Sequence, residues 1–383
     1  MVRAHKIQLK PTKKQVAYFK QACGVSRFVY NWGLGQWNQQ YQAGGKPSGY
    51  SLKKEFNGIY KSQFPWVSEV HRDCHSQPFT NLQNAMNKFF KKTAKHPVFK
   101  KKGRSKDSFY IANDKIEFIE KRVKLPVIGT VKLAEKLRFS GKIQAAVVSR
   151  TAEHWYISVH VECIPNLKSK TNSKCLGIDL GVKTSVTCSD GTVYQSPKPL
   201  KKMLKSIKHL SRNVSRKTKG SNNRRKAVNK LAKAHWKVRN VRNDFLHKTS
   251  TSIIRESQAL CIEDLSVSNM LGNHCLSRAI SDQGFGELRR MLEYKSEAYG
   301  VNLIIADRFY PSSKTCSVCG SIKKDLRLSD RIYICSNCGL EIDRDLNAAI
   351  NLSKLGTASP EVKPVDRRVD GLKQEFVSAL LCT

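Results

Sequence analysis

Two cysteine pairs in the last third of the sequence constrain the fold more than any other feature. Two residues separate the cysteines of each pair, a glycine follows each pair, and fifteen residues lie between them; the cysteines are Cys316, Cys319, Cys335 and Cys338. This is the spacing of a four-thiolate zinc ribbon, in which the protein ligands close a tetrahedral structural site. The sequence therefore predicts a structural Zn²⁺ ion in a zinc ribbon over residues 311–340.

The other cysteines carry no such spacing. Twelve cysteines are present, and the eight outside the two pairs stand singly. Isolated cysteines are typical of buried thiols in the reducing cytosol, where disulfides do not persist.

The charge balance indicates a polyanionic partner. Lys and Arg number 69 against 30 Asp and Glu, which gives a formal charge of +39, and apolar residues make up 40% of the chain. The apolar fraction is sufficient for packed cores, and the excess charge favours nucleic acids through counterion release. A ribosomal or histone-like protein is the simplest alternative, but such proteins are usually much shorter. No run of 18 apolar residues and no signal-peptide core occurs, so we expect a cytoplasmic, nucleoid-associated protein with no membrane partner.

The first half of the chain combines helical and strand patterns. Residues 106–165 contain several short apolar-polar alternations separated by turn residues, which predicts a small β-barrel. The N-terminal segment 1–10 alternates in the same way and could supply the first strand. The helical pattern of residues 11–105 would then be an insertion into the barrel, and residues 166–174 a linker.

A basic stretch closes this helical segment. Residues 87–106 hold nine Lys or Arg, no acid and three phenylalanines. A solvated charge run is the simpler interpretation, but interleaved aromatic residues favour contact with phosphates and bases. Lys100, Lys101 and Lys102 are therefore candidate nucleic-acid contacts.

The second half of the chain shows strand–helix alternation. Two apolar strands, "ALCIEDL" and "VNLIIAD", bracket a helical pattern over residues 286–299. An earlier segment, "CLGIDLGVKTSVTCSDGTVY", contains two strands joined by a Ser-Asp-Gly turn. This alternation predicts an α/β core.

A basic helical hairpin interrupts this core over residues 198–252. Residues 198–248 hold eighteen Lys or Arg and one acid, and apolar residues recur there every three or four positions. A free coiled coil is the alternative, but faces of a single charge sign argue against it. We expect the hairpin to face nucleic acid, with Arg224 and Arg225 as candidate contacts.

Three carboxylates in the α/β half have the placement of metal ligands. Asp179 and Glu263 lie in apolar strands, where an isolated charge is costly, and Asp345 begins the helical pattern "DLNAAINLSKL". Two-metal phosphodiester hydrolysis requires acids that converge from separate elements. Each has a simpler alternative: Asp345 as a helix cap, Asp179 at a turn, and Glu263 at a strand edge. The zinc ribbon would hold the scaffold that brings Asp345 to the other two acids, while Mg²⁺ would perform the chemistry.

The order of the motifs resembles one known family. "GIDLGVK", "IEDL", "FYPSSKTCSVCG" and "CSNCGLEIDRDLNAAINL" closely resemble TnpB, the transposon-encoded RNA-guided DNA endonucleases related to type V CRISPR effectors. "RFVYNWGL" and "NKFF" in the first half are also similar to that family. The resemblance covers nearly the whole chain and is most specific over residues 174–355.

The resemblance implies a bilobed architecture. One lobe would be a wedge β-barrel with an inserted helical recognition domain. The other would be a RuvC-like (RNase H-type) nuclease, residues 175–310 and 341–355, that carries the zinc ribbon. Asp179, Glu263 and Asp345 correspond to the catalytic acids of the family, which hold two Mg²⁺ ions.

Further residues follow from the same resemblance. Asp343 is the alternative third acid, and Arg344 is a candidate contact to the scissile phosphate. Residues 356–383 match nothing in the family and are expected to be a flexible C-terminal tail.

The resemblance also implies two nucleic-acid partners. A guide (omega) RNA transcribed from the transposon end would select double-stranded target DNA by base pairing, while the protein reads a short motif beside the target. Tyr50, Arg72 and Asn113 are the candidates for reading that motif. The protein is expected to be monomeric in this ribonucleoprotein.

Two other functions stay open. A nuclease-inactive relative could act as an RNA-guided repressor, but its signature would be the loss of an active-site acid, and all three are present. An RNA-independent zinc-ribbon DNA-binding or transposase accessory protein would fit the charge equally well. It would not explain the predicted barrel and its helical insertion.

Overall fold

The computed structural model describes residues 2–163, 175–327 and 329–358. The chain divides into two compact units at residues 164 and 165. The predicted linker, residues 166–174, lies outside the described residues, as do residues 359–383 of the predicted tail. Within the described ranges, no helix is long and apolar enough to cross a membrane.

The N-terminal unit is built on an antiparallel sheet. Its strands are β1 (Val2–Lys10), β2 (Ser108–Ala112), β3 (Glu117–Ile119), β4 (Arg122–Leu125), β5 (Gly129–Leu133), β6 (Lys142–Thr151) and β7 (His154–Glu162). They lie in the order β2-β6-β7-β1-β5-β4-β3, so the N-terminal strand pairs between two strands that come more than a hundred residues later. Within the part of the chain that the structure describes, β2 and β3 are edges without a hydrogen-bonded ladder between them. Closure into a barrel therefore stays a prediction.

Three helices lie between β1 and β2 in the chain. They are α1 (Lys13–Gln42), α2 (Gly49–Gln63) and α3 (Asp73–Phe90). A capping box starts α1: the Gln15 amide donates to Thr12 Oγ1 (3.3 Å), and the Thr12 amide donates to Gln15 Oε1 (3.0 Å). Phe19 of α1 packs against Trp155 of β7 with a ring-centroid separation of 5.0 Å, which joins helix and sheet in one core.

The C-terminal unit contains a mixed sheet. Its strands are β8 (Cys175–Asp179), β9 (Val186–Cys188), β10 (Val193–Tyr194), β11 (Ala259–Glu263) and β12 (Asn302–Ala306). Across the sheet they lie in the order β10-β9-β8-β11-β12; β8, β11 and β12 are parallel, and β9 and β10 are antiparallel additions. A separate antiparallel pair follows, β13 (Ile332–Ile334) and β14 (Glu341–Asp343). The α/β core predicted from strand–helix alternation is confirmed.

The described residues of this unit also form six α-helices. They are α4 (Pro199–Ser215), α5 (Asn222–Glu256), α6 (Val267–Gly272), α7 (Ser277–Gln283), α8 (Phe285–Tyr299) and α9 (Arg344–Ala358). Helix α8 connects the parallel strands β11 and β12, which is the crossover that parallel neighbours require. Helices α4 and α5 form the predicted hairpin around Ile207, Ala234 and Val238, and α5 extends four residues beyond its predicted end at 252.

The C-terminal boundary differs from the prediction. Helix α9 runs to Ala358, so the flexible tail predicted from residue 356 is wrong for its first three residues. Gly356 is buried, and a Cβ placed there would overlap the Cys175 sulfur atom. The helix lies so close to β8 that only glycine fits, and this packing extends the helix past the end of the recognisable motif.

Most of the single cysteines are buried, as predicted. Cys23, Cys74, Cys163, Cys175, Cys188 and Cys261 are buried, whereas Cys275 is exposed in the segment between α6 and α7. Burial raises the pKa of the Cys188 and Cys261 thiols to about 12, which keeps them protonated and unreactive at neutral pH. The exposed position of Cys275 corrects the expectation for that residue.

A buried lysine joins α5 to α8. The Nζ of Lys295 donates to the His247 carbonyl oxygen (2.9 Å), Ser250 Oγ (2.6 Å) and Thr251 Oγ1 (2.7 Å). Burial, with a smaller contribution from the charge of Arg255, lowers the pKa of Lys295 to about 8. The ammonium group therefore carries a desolvation penalty that only the folded state experiences.

Replacing Lys295 by methionine is expected to change how stability depends on pH. Below pH 8 the lysine is protonated in both states, whereas from about pH 8 to about 10.4 only the unfolded chain holds the proton. The wild-type free energy of unfolding should therefore rise relative to that of Lys295→Met across this window, by at most about 1.4 kcal/mol per pH unit. Urea denaturation at several pH values measures the difference. Lys248→Met, which removes an ammonium group from a side chain 76% exposed, is the matched control. A flat difference for Lys295→Met would contradict the prediction.

Candidate active site and zinc ribbon

Two of the predicted acids end neighbouring parallel strands. Ile178 of β8 is opposite Ile262 of β11 in the register, so the next residues, Asp179 and Glu263, leave the sheet at the same edge. Carboxyl ends of parallel strands are where open α/β sheets place their functional groups. The sheet brings these two acids together although 84 positions of sequence separate them.

Helix α9 supplies the third acid. It packs on β8, where a Cβ at Gly177 would overlap the Ala349 carbonyl oxygen, so the glycine permits the close approach. Asp345 lies in the first turn of α9. A Cβ built at Gly181 would lie 3.9 Å from Asp345 Oδ2, which places this carboxylate against the loop that follows Asp179. Asp179, Glu263 and Asp345 are called the acid site below.

The three charges of the acid site repel one another. Burial raises the pKa of Asp179 well above its usual range, and the charges of Glu263 and Asp345 raise it further. Burial also raises the pKa of Glu263, with a smaller contribution from Asp345, while the hydrogen bond from Ser312 opposes the shift. A divalent cation would relieve this repulsion, and hard oxygen donors are the ligands that Mg²⁺ prefers.

The acid site is looser than the cysteine cluster. Among the described residues, the group whose possible metal-ligand atoms all lie within 4.8 Å of one another consists of the four ribbon cysteines. The three acids converge without forming so tight a group. Their carboxylate oxygens are ligands of the type that Mg²⁺ prefers, and their spacing leaves room between the carboxylates.

Asp343 and Asp345 have different structural roles. Its Oδ1 accepts hydrogen bonds from the amides of Asp345 (2.9 Å) and Leu346 (3.0 Å), which makes it the cap of α9. The capping role that the sequence allowed for Asp345 is thus occupied by Asp343. Asp345 instead receives the guanidinium of Arg344, with Nη2 at 3.2 Å from Oδ1.

The cysteine cluster has the dimensions of a zinc site. The sulfur atoms of Cys316 and Cys338 are 3.6 Å apart, and those of Cys319 and Cys335 are also 3.6 Å apart. A tetrahedral zinc with Zn–S bonds of about 2.3 Å has sulfur–sulfur edges of about 3.8 Å, so the four thiols fit the ion. Tyr333 of β13 is completely buried beside the cluster, and its hydroxyl donates to the Lys314 carbonyl oxygen at 3.2 Å.

Three side chains of α9, two of them buried, connect the cysteine cluster to the helix that carries Asp345. Asn347 accepts from the Ser317 amide (2.9 Å) and donates to the Thr315 carbonyl oxygen (2.7 Å). One turn later, Asn351 Nδ2 donates to the same Thr315 oxygen (2.7 Å). Another turn on, Lys354 donates to the Ser317 carbonyl oxygen. These three side chains, named the α9 staple, tie the first cysteine pair to the helix that carries Asp345.

Sequence reasoning missed the α9 staple and the partner of Glu263. The signal for the staple was present, since Asn347, Asn351 and Lys354 recur at i, i+4 and i+7 on one face of a helix. Ser312 Oγ donates to Glu263 Oε1 (2.6 Å) and Asn351 donates to the Ser312 carbonyl oxygen (2.8 Å), so the same loop also positions Glu263. No pattern marks Ser312, because its partner lies 49 residues away.

Six of the candidate nucleic-acid contacts are exposed. They are Tyr50, Arg72, Lys101, Lys102, Asn113 and Arg225. Tyr50, near the start of α2, is 81% exposed, which is unusual for a tyrosine in a helix that packs on a core. Exposure is compatible with the predicted contacts but does not identify their partner.

Three other candidates are engaged within the protein. Lys100 Nζ lies 3.7 Å from the ring centroid of Tyr30. Arg224 donates to the carbonyl oxygens of Val214 (2.7 Å) and Lys217 (3.1 Å) at the turn of the hairpin. Arg344 pairs with Asp345, as described above. Arg224 thus stabilises the hairpin turn, a role that its position in a basic run did not reveal.

Comparison with known proteins supports a common fold. Three family profiles match the chain: "Probable transposase" over residues 156–274, "Cas12f1-like, TNB domain" over 285–352, and "Helix-turn-helix domain" over 1–46. In the last range the structure has strand β1 and the single continuous helix α1 rather than two helices joined by a turn. A solved Cas12f1–sgRNA–target DNA complex shares the fold, with a TM-score of 0.57 at 15% identity over 92% of this chain and 84% of that chain.

Two relatives are similar over nearly their whole length. A protein of Streptomyces pristinaespiralis, provisionally named an RNA-guided DNA endonuclease, is 34% identical over 93% of this chain and 90% of its own. The Escherichia coli (strain K12) protein InsQ, with the same provisional name, is 31% identical over 100% of this chain and 99% of its own.

Proposed function

This chain belongs to the TnpB family, and on that premise we propose that it is an RNA-guided endonuclease that cuts double-stranded DNA by metal-dependent hydrolysis at Asp179, Glu263 and Asp345. The observation that carries the proposal is the convergence of these acids from two parallel strands and one helix. Acids are scarce in a chain of charge +39, so a cluster that raises the pKa of Asp179 and of Glu263 represents a cost that a structural role does not explain.

The residues of the acid site would divide the work of holding cations and substrate. Mg²⁺, when bound, stabilises the attacking and leaving oxygens of a phosphodiester and makes water a better nucleophile. Asp179 would hold the cation together with Glu263 and Asp345. Ser312 orients Glu263, and the cap formed by Asp343 orients the turn that carries Asp345. Arg344, beside Asp345, would contact the scissile phosphate.

The zinc ribbon would have a structural role in this mechanism. Cys316, Cys319, Cys335 and Cys338 would supply all four ligands of a bound Zn²⁺, which would leave no open position for substrate. Its contribution would pass through the α9 staple, which connects the first cysteine pair to the helix of Asp345.

Guide RNA and target DNA are the proposed partners. A guide transcribed from the transposon end would choose the target by pairing, and the protein would read a short adjacent motif through Tyr50, Arg72 and Asn113. The exposure of these side chains and the charge of +39 support this division of labour. We propose one copy of the protein in each ribonucleoprotein.

Sequencing the RNA that co-purifies with the protein, expressed with its native downstream flank, is the test of guidance. A discrete structured species that ends in a variable segment from beyond the transposon boundary is expected. That RNA should then direct cleavage of a matching duplex in Mg²⁺. Heterogeneous cellular RNA would favour an RNA-independent transposase accessory protein, and guided binding without cutting would favour a repressor.

The basic hairpin provides a prediction with an internal control. Arg225 is exposed, so Arg225→Gln should lower the slope of log binding constant against log salt concentration for duplex DNA by about 1. Arg224 is engaged at the hairpin turn, so Arg224→Gln should leave the slope unchanged and lower the free energy of unfolding by about 1–2 kcal/mol. Salt titrations and thermal unfolding of both variants measure the two effects. An unchanged slope for Arg225→Gln would show that this face of the hairpin does not contact DNA.

A further inference from the structure

A short loop beyond β12 leaves the acid site and returns to it. Ala306, the last residue of β12, is opposite Glu263 in the parallel register. Ser312, six residues later, donates its hydroxyl hydrogen bond to the same Glu263 (2.6 Å). Phe309 is the midpoint of this loop, three residues from either end, and three residues span at most about 11 Å. The Cα atom of Phe309 therefore lies within about 11 Å of both ends of the loop, and so near the acid site.

The loop is fixed by hydrogen bonds on both sides of Phe309. The Phe309 amide donates to Asp307 Oδ1 (2.8 Å), and the Tyr310 amide donates to the Asp307 carbonyl oxygen (3.1 Å), which closes a turn. The Arg308 guanidinium pairs with Asp264, the neighbour of Glu263 in sequence. Tyr310 packs against the core beside Leu352. With both neighbours anchored, the backbone of Phe309 has little freedom to withdraw its side chain.

Phe309 is nevertheless 87% exposed, the highest value for a large apolar side chain among the described residues. Its sequence neighbours are an acid, a paired guanidinium and a tyrosine whose ring turns into the core, so the loop itself adds no further exposed apolar side chain beside it. A protein partner or a membrane would require a wider apolar surface. A single aromatic ring beside a cation is instead the arrangement that binds one base and its phosphate in single-stranded nucleic acid.

We propose that Phe309 stacks on an unpaired base of the DNA strand that enters the acid site, with Arg308 facing the adjacent phosphate. Stacking would fix the strand beside the scissile phosphate and would accept any base, because every base presents a flat aromatic face. This inference rests on the proposed nuclease function, since it assigns the substrate strand of the same site.

Binding of single-stranded DNA tests the inference separately from cleavage. The full-length protein–guide complex is titrated with DNA oligonucleotides without added Mg²⁺, at about 0.3 M salt, where phosphate contacts are weakened. Phe309→Ala should weaken binding about 5- to 150-fold, and Phe309→Tyr should restore it. Ile334→Ala, which removes another exposed apolar side chain of the same unit, is the control and should bind as the wild type does.

Abasic substitutions in the DNA identify the stacked base. One abasic position should weaken wild-type binding by the same factor as Phe309→Ala and should cause no further loss in that variant. The inference is overturned if Phe309→Ala binds as the wild type, or if each abasic loss adds in full to that of the variant. A complex that stacks DNA through Phe309 but never cleaves a guided duplex would overturn the proposed function alone.

Discussion

Asp179→Asn is expected to abolish guided DNA cleavage while the protein still binds guide RNA and target. Asparagine keeps the shape of the side chain but removes the charge that Asp179 contributes beside Glu263 and Asp345. Charge stabilisation by a bound metal contributes several kcal/mol to hydrolysis, so the cleavage rate should fall about a thousandfold or more. Because burial and repulsion oppose ionisation of Asp179, the variant should unfold at the same temperature as the wild type or higher.

The control for this variant is another aspartate of the same unit. Asp190→Asn changes an exposed carboxylate in the turn between β9 and β10, and it should cleave at the wild-type rate. Single-turnover cleavage and target binding are measured on both variants. Cleavage by Asp179→Asn at the wild-type rate would mean that the acid site is assigned to the wrong residues.

Loss of Cys335, one of the four proposed zinc ligands, is expected to disable the protein by a different route. Binding of structural zinc supplies about 10–16 kcal/mol to the folding of small zinc units, so Cys335→Ser should unfold the ribbon. The α9 staple would lose its partners at Ser317 and Thr315, and the helix of Asp345 would lose its anchor. We expect zinc content to fall from about one ion per chain to near zero and cleavage to fall at least about a hundredfold.

Cys275→Ser is the matched control, because Cys275 is an exposed thiol outside the two pairs. It should retain both the metal and the activity. Metal analysis by mass spectrometry and cleavage assays in excess Mg²⁺ separate loss of zinc from loss of magnesium. If the Cys335→Ser protein keeps its zinc and its full activity, the proposed structural role of the ribbon is wrong.

Local patterns carried much of the fold. Alternation predicted β7, whose buried positions include Trp155, Ile157 and Val159, because one face of an antiparallel strand is covered and the other is open. The 3.6-residue period predicted α8 between its two strands within one residue at its start. The cysteine spacing predicted a cluster that the structure brings within 4.8 Å.

Predictions about individual Lys and Arg side chains and about the end of α9 were less accurate. Lys100 and Arg224 were chosen from basic runs, yet each binds a group of this protein, Tyr30 in one case and the hairpin turn in the other. A charge run does not reveal which of its members folds back, because that depends on carbonyl groups and rings brought near by tertiary packing. The same holds for residues 356–358, which continue α9, with Gly356 packed closely against β8.

The sequence by itself determined the family and predicted the four cysteine ligands and the three acids, since spacing within a motif and an acid inside an apolar strand are local properties. Only the tertiary structure decided how the acids meet: a parallel register aligns Asp179 with Glu263, and a glycine contact lets α9 bring Asp345 to them. It also decided that Asp343 caps the helix, that Ser312 holds Glu263, and that Phe309 stands exposed beside the site. These are contacts between residues distant in sequence or choices between adjacent ones, and no one-dimensional pattern records which groups the packed chain brings within bonding distance.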